Sequence, residues 1–119
     1  MSVPVDLAAL ESLVEELGPE ALLATVSADR RPHIVSVTAT WSHGTVACGS
    51  GRRTRANVES NPSATLIWPT VRLGAYRLIV DGIATIIDTE RLALTPTYAV
   101  LHRISTASGD GPTCVPIET

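Results

Sequence analysis

The order of hydrophobic and polar positions predicts one short helix followed by a succession of strands. Near the start, apolar residues recur at helical spacing from Leu10 to Leu17, between a good N-cap residue, Asp6, and a glycine stop, Gly18. From Ala21 the period changes to two, which is typical of strands with one buried face. The pattern therefore predicts an amphipathic helix over about 6–17 and a β-rich remainder.

Six segments of the remainder have strand character, and turn residues separate the first three. They are residues 21–27, 33–41, 45–49, 64–68, 76–87 and 97–102. The fifth segment carries apolar residues on both faces, so we expect the barrel core to cover one face and a second chain the other. Residues 52–60 predict a short helix that ends at Asn61-Pro62, and residues 88–94 are expected to be a polar connection.

These elements together predict a single domain over residues 1–119 that is mainly β. Six strands with one intervening helix favour a small antiparallel barrel over about 21–103. The sequence beyond it, residues 105–119, is rich in small and polar residues and is expected to be loosely ordered.

Composition adds expectations about partners and location. Apolar residues make up 45% of the chain and charged residues only 18%, so part of the apolar surface is expected to face a second copy in a homodimer. The formal net charge of −3 argues against general nucleic-acid binding. The start lacks the basic and apolar regions of a secretory signal, and no apolar run is long enough to cross a bilayer. A cytoplasmic location without a membrane partner is therefore expected.

Charge is concentrated in the segment SGRRTR, Ser50 to Arg55, which begins the second predicted helix. Glycines beside a helix start let a ligand approach the backbone, and the unpaired N–H groups of the first turn point outward. Arg52, Arg53 and Arg55 stand where the helix dipole favours acidic residues. An anionic ligand would neutralise both the arginines and the positive end of the helix dipole. Arginine side chains and the Thr54 hydroxyl are suited to bind phosphate oxygens.

A second interpretation of SGRRTR needs no ligand. In it the arginines form a solvated face, Ser50 only caps the helix, and the guanidinium groups pair with Glu59 or with acidic residues of a partner. The glycines and the mismatch with the helix dipole favour the anion site.

The order of these segments resembles the pyridoxamine 5′-phosphate oxidase-like family of flavin-binding split β-barrels. The resemblance runs from Ala21 to about Ile87, through LATVSADRRPHIVSVTATW, TVACGSGRRTRANVESNPSATLIWP and YRLIVDGIATI. Its distinguishing pieces are Arg-Pro-His at 31–33, the basic segment that runs into Asn57 and Asn61-Pro62, and the Val-Asp-Gly-Ile-Ala strand at 80–84. The fold class implied is a six-stranded antiparallel split β-barrel of the flavin-binding type.

The resemblance also implies a homodimer with two cofactor sites at the subunit interface, each holding FMN or the deazaflavin coenzyme F-420. Cofactor phosphate contacts carry over to Ser50, Arg52, Arg53, Thr54 and Arg55, and contacts to the ring system carry over to Val35, Ser36, Val37 and Thr38. Trp68 and Pro69 are expected to be wall residues that contact the ring system or lie at the dimer interface. Many relatives have a lysine in the phosphate segment, whereas this chain has none, so an arginine or Thr54 must serve.

Three classes of function follow. The first is an FMN- or F-420-dependent oxidoreductase that transfers a hydride to or from a small organic substrate; the others are a non-catalytic flavin- or haem-binding protein and a dimeric interaction module with an empty site. Because a flavin itself carries the redox chemistry, no catalytic residue needs to be visible in the sequence. His33, His43 and His102 lack metal-ligand spacing, and true pyridoxamine-phosphate oxidation is not expected, since no additional basic set for pyridoxal phosphate is recognisable.

Overall fold

The computed structural model describes residues 2–72 and 75–103 of the chain. The predicted tail over 105–119 lies outside the described residues. Within the described ranges, no helix has the length and apolar character needed to cross a membrane.

Strands dominate the described residues, with one short 3-10 turn and two α-helices among them. In chain order the elements are β1 (Ser2–Pro4), the 3-10 turn (Leu7–Ala9), α1 (Leu10–Leu17), β2 (Glu20–Val26), β3 (Pro32–Ser42), β4 (Thr45–Gly49), α2 (Arg52–Ser60), β5 (Ser63–Arg72), β6 (Tyr76–Ile86) and β7 (Arg91–His102).

The sheet closes into a six-stranded antiparallel barrel. Its strands follow the order β7-β4-β3-β2-β5-β6, and β6 pairs again with β7 to complete the circle. Strand β1 adds to β7 outside this circle, with Val3 opposite Leu101. The antiparallel barrel predicted from the sequence is confirmed.

The barrel core is filled by the inward side chains of every barrel strand. Leu23, Leu66, Leu78, Leu92 and Leu94 are all fully buried. Along β6 the inward and outward positions alternate as predicted, with Leu78, Val80 and Ala84 buried and Ile83 exposed.

Helix α1 covers part of the barrel with the apolar face that the sequence predicted. Leu10, Val14 and Leu17 are buried, and Gly18 ends the helix with a positive φ of 88°, which a residue with a side chain adopts only at a cost. Asp6 caps the preceding 3-10 turn through the Ala8 N–H rather than α1 itself.

Two strand boundaries and one additional strand differ from the sequence prediction. The segment 88–94 is not wholly a connection, because β7 begins at Arg91 and buries Leu92 and Leu94. Strand β5 continues to Arg72, beyond residue 68 where the predicted strand segment ends. The short exposed strand β1 was not predicted, since its three residues offer no alternating pattern.

Candidate functional site

Half of β3 has an edge that no described strand covers. Residues 32–38 pair with β2 on one side, but β4 pairs only with residues 39–42 on the other. The Ala39 N–H donates to the Pro19 carbonyl at 2.8 Å, on the β2 side of the strand. Because backbone groups alternate between the two edges of an antiparallel strand, those of Ser36 and Thr38 point to the open edge.

The N-terminus of α2 lies beside this open edge. The N-cap is Gly51, which makes no side-chain capping bond, and the first turn contains no acidic residue. The first intrahelical bond runs from the Arg55 N–H to the Gly51 carbonyl at 3.0 Å, so the N–H groups of Arg52, Arg53 and Thr54 precede it. These donors and the helix dipole make the region attractive to an anion.

The open edge and the helix start border an open cavity of about 560 Å³, here called the β3–α2 cavity. Its lining residues are His33, Val35, Ser36, Val37, Thr38, Gly49, Ser50, Gly51, Arg52, Arg53 and Thr54. The structure thus brings together eight residues that the sequence assigned to a cofactor: Val35, Ser36, Val37, Thr38, Ser50, Arg52, Arg53 and Thr54. A predicted ring segment and a predicted phosphate segment form one continuous surface.

Ser50 is the most informative polar group of the β3–α2 cavity. Its backbone N–H donates to the Glu90 carbonyl at 2.9 Å, which fixes the residue at the end of β4. Its hydroxyl oxygen is buried and has no hydrogen-bond partner among the described residues. The alternative interpretation of this segment required Ser50 to cap the helix, but the N-cap is Gly51. A buried hydroxyl without a partner carries an energetic cost that a ligand oxygen would relieve.

Helix α2 is held against the barrel by its buried face. Thr54 and Val58 are buried, as is Asn57, whose side-chain amide donates to the Thr25 hydroxyl at 3.0 Å. Arg52 and Arg53 are exposed on the cavity side. Within the described residues the ion pairs are Arg31–Asp29 and Arg91–Asp88, so neither arginine has a carboxylate partner there.

Arg55 departs from the predicted phosphate set. Its guanidinium donates to the Thr89 carbonyl in the loop between β6 and β7, and it does not line the β3–α2 cavity. The same loop is closed by Asp88, which accepts hydrogen bonds from the Glu90 N–H and the Arg91 side chain. These bonds hold the pKa of Asp88 below its ordinary value. The structure therefore gives Arg55 a role in anchoring α2 to this loop.

The two residues predicted to contact the ring or the dimer seam, Trp68 and Pro69, lie in different surroundings. Trp68 is fully buried in the core, and its indole N–H donates to the Gly18 carbonyl at 3.0 Å, so its ring cannot face a ligand in this arrangement. Pro69 lines a neighbouring cavity of about 410 Å³ that also includes Ser36 and Thr38. Pro69 therefore lies next to the β3–α2 cavity without lining it.

Sequence reasoning did not assign His33 to the cofactor, although it lines the β3–α2 cavity. Its signal was the period of two that it shares with Val35 and Val37. Gly49 and Gly51 also line the cavity, and a methyl group added to Gly51 would meet no atom within 4 Å. Cys48 is buried, and burial raises the pKa of its thiol to about 11, so the reactive thiolate is disfavoured at neutral pH.

Comparison with known sequences gives a partial match. No family model matches the chain. Two uncharacterised curated proteins, from Mycobacterium bovis and Mycobacterium tuberculosis, are 41% identical to it over 69 residues. The match covers 53% of this chain and 47% of each relative, so the chain spans about half the length of the curated relatives it matches.

Solved structures share the architecture more completely. A protein related to general stress protein 26, of the pyridoxine phosphate oxidase family, from Clostridium acetobutylicum superposes with a TM-score of 0.61 at 14% identity, over 83% of this chain and 91% of that chain. An FAD-binding protein from Mycobacterium smegmatis gives 0.62 at 18% identity, over 87% and 100%. An F-420 reductase gives 0.58 at 19% identity, over 75% and 94%. The chain therefore has the split-barrel fold of the pyridoxamine 5′-phosphate oxidase-like proteins, as its sequence resemblance implied.

Proposed function

We propose that this chain binds a flavin-type cofactor, FMN or F-420, in the β3–α2 cavity and acts as an oxidoreductase on a small organic substrate. The observation that carries the proposal is the junction of two surfaces in that cavity. An anion-attracting helix start with an unsatisfied buried hydroxyl meets an open strand edge with free backbone groups.

The helix start fits the phosphate of such a cofactor. Hydrogen-bond donors of three kinds belong to residues that line this end of the cavity: the N–H groups before the first helical bond, the Ser50 hydroxyl and the exposed Arg52 and Arg53. Phosphate oxygens accept several such bonds at once, and arginine presents its donors in a geometry that matches them. The residues present therefore fit a phosphate without the lysine that many relatives use.

The open edge of β3 fits the ring system. Backbone groups of Ser36 and Thr38 can bond the polar edge of the ring, and Val35 and Val37 supply apolar surface. The bound flavin would supply hydride transfer, and the chain would orient it and limit access of water. The structural neighbours named for FAD binding and for F-420 reduction support a flavin-type ligand for this fold.

The proposed functional unit is a homodimer. Ser36 lies on the outer face of β3, in register with Leu22 of β2, so the β3–α2 cavity borders the outer face of the sheet. That outer face exposes Ile34, Ile83 and Tyr98. A second copy seated on it would narrow the cavity and cover these side chains.

Titration of the purified chain with FMN, F-420 and riboflavin tests the proposal. We expect FMN or F-420 to bind with quenching of its fluorescence and a shifted visible spectrum, and riboflavin, which lacks the phosphate, to bind at least about tenfold more weakly. Haem is the control ligand, since it carries carboxylates and no phosphate. Failure of both phosphorylated cofactors to bind, or equal affinity for riboflavin, would reject the proposed site.

A further inference from the structure

A second cavity of about 560 Å³ adjoins the β3–α2 cavity at the start of β3. This turn cavity is lined by Ser27, Asp29, Arg31, Pro32, His33, Arg53 and Asn57. His33 and Arg53 line both cavities, so the two spaces adjoin at these side chains. A ligand that fills the first cavity can therefore extend into the second.

The shared residues follow from the spacing of the two elements. Arg53 and Asn57 are four residues apart in α2 and lie on the same face of the helix, along one side of the turn cavity. On the other side, the open edge of β3 leads from Ser36 back toward His33 and Pro32. The turn cavity thus lies beyond the helix start, away from the segment proposed to contact the ring.

Hydrogen bonds within the turn between β2 and β3 bring Asp29 and Arg31 together. Ser27 and Arg31 close the turn through two hydrogen bonds, from the Ser27 N–H to the Arg31 carbonyl and from the Arg31 N–H to the Ser27 hydroxyl, both at 3.0 Å. The Ser27 hydroxyl in turn donates to one Asp29 carboxylate oxygen. The other carboxylate oxygen lies 3.2 Å from Arg31 Nε.

The residues that line the turn cavity carry more positive than negative charge. Arg31 and Arg53 contribute two positive charges, and Asp29 contributes the only carboxylate among the lining residues. The Arg31 and Asp29 side chains are 83% and 68% exposed, and such a solvated pair is held weakly. Arg31 can therefore exchange Asp29 for an anionic group of a ligand at little cost.

We infer that the turn cavity is a second anion subsite, in which Arg31 binds a further anionic group carried beyond the first phosphate of the cofactor and Asp29 weakens that binding. The inference rests on the proposed function and deepens it. It selects an extended cofactor over FMN, because FMN ends at its single phosphate. The further group can be the second phosphate of FAD or a carboxylate of the F-420 tail, which share the chemistry that Arg31 and Arg53 recognise.

Substitutions of Arg31 and Asp29 should have opposite effects on the affinity for an extended cofactor. Arg31→Ala should weaken FAD or F-420 binding about tenfold and leave FMN binding within about twofold. Asp29→Asn should tighten binding of the same extended cofactor several-fold, because it removes the competing charge while its amide oxygen can still accept the Ser27 bond. Dissociation constants of FMN, FAD, F-420 and riboflavin for each variant, from fluorescence titration, measure these effects.

Arg30→Ala is the matched control, since Arg30 is an exposed arginine of the same turn that lines neither cavity. It should leave the preference for the extended cofactor unchanged. Selection of FAD or of F-420 that depends on Arg31 identifies which anionic group the subsite takes. FMN affinity equal to that of both extended cofactors, or selection that Arg31→Ala leaves intact, overturns this inference alone. Binding of none of the four ligands overturns the proposed function together with it.

Discussion

Arg53 and Arg55 have the same side chain and lie two positions apart, yet the structure gives them different partners. Two positions along a helix correspond to a rotation of about 200°, so the two side chains leave α2 on nearly opposite sides. Arg53 lines both cavities, whereas Arg55 is half-buried and bonds the Thr89 carbonyl. A charge count along the sequence does not separate these roles.

Single alanine variants of these two arginines should therefore behave differently. Arg53→Ala should weaken FMN or F-420 binding by about 1.5 to 3 kcal/mol, because it removes a charge-assisted bond, with little change in the free energy of unfolding. Arg55→Ala should leave cofactor affinity nearly unchanged and lower the free energy of unfolding by about 1 kcal/mol. Fluorescence titration and urea denaturation measure the two quantities. The reverse result would return Arg55 to the phosphate set.

The turn residues show a similar limit of sequence reasoning. Arg31 and His33 lie about twenty residues before the basic segment, and only the pairing of β3 with β2 and the position of α2 bring them to Arg53. The sequence could predict that Ser50 to Arg55 attracts an anion, because dipole and charge are local properties. It could not predict the second cavity, because that depends on how two separate elements approach each other.

At the level of elements, strands with strict alternation were predictable and strands with mixed signals were not. β3 alternates apolar and polar residues along its length, and its bounds agree with the prediction within one residue. β7 begins at Arg91, and the polar residues Asp88, Glu90 and Arg91 are typical of a loop. Leu92 and Leu94 of β7 are buried because the strand pairs with β4 and β6. Long-range pairing outweighed local composition there.

Gly82 lies at the irregularity in the pairing of β6 with β7. The pairing shifts between Asp81 and Gly82, and Gly82 lies opposite Pro96. A methyl group at Gly82 would lie 2.8 Å from the Leu94 side chain and would overlap the Thr95 carbonyl. Because β6 and β7 close the barrel, this contact cannot be relieved by moving one side chain alone.

Gly82→Ala should therefore lower the free energy of unfolding by about 2 kcal/mol or more. Gly51→Ala is the matched control, since a methyl group there meets no atom within 4 Å and the residue has a negative φ of −88°. Its stability should fall by no more than about 1 kcal/mol, which is the cost of placing alanine at a helix N-cap. Urea denaturation of both variants provides the comparison, and equal stabilities would show that β7 yields to a side chain at this point.

For the molecule as a whole, the outer face of the sheet is the surface on which we propose that two copies associate. Cross-strand register places Leu22, Ile67, Ile79 and Val100 in one row across β2, β5, β6 and β7. Near this half-buried row, Ile34 is 57% exposed, Tyr98 is 52% exposed and Ile83 is 43% exposed. An apolar row flanked by large exposed side chains is typical of a surface that binds another protein.

Ile83→Arg should convert the proposed dimer to a monomer, because it replaces a large exposed apolar side chain of the outer face with a longer, charged one. Ser42→Arg adds the same charge at the C-terminal end of β3, where Ser42 is exposed and lies eight positions from Ile34, and should leave the dimer intact. Sedimentation equilibrium of both variants measures the association. A wild-type chain that is monomeric at all concentrations, or a dimer that tolerates Ile83→Arg, would reject this surface as the interface.

If the second copy also closes the β3–α2 cavity, dimerisation and cofactor binding must be coupled. Ser36 belongs to both surfaces, since it lies beside Leu22 on the outer face and lines the cavity. A cofactor that binds the dimer more tightly must strengthen dimerisation by the same factor. Adding FMN or F-420 should therefore lower the dimer dissociation constant of the wild-type chain, and Ile83→Arg should weaken cofactor binding although Ile83 lies outside the cavity. Cofactor affinity that is independent of protein concentration and of Ile83 would place the whole site within one copy.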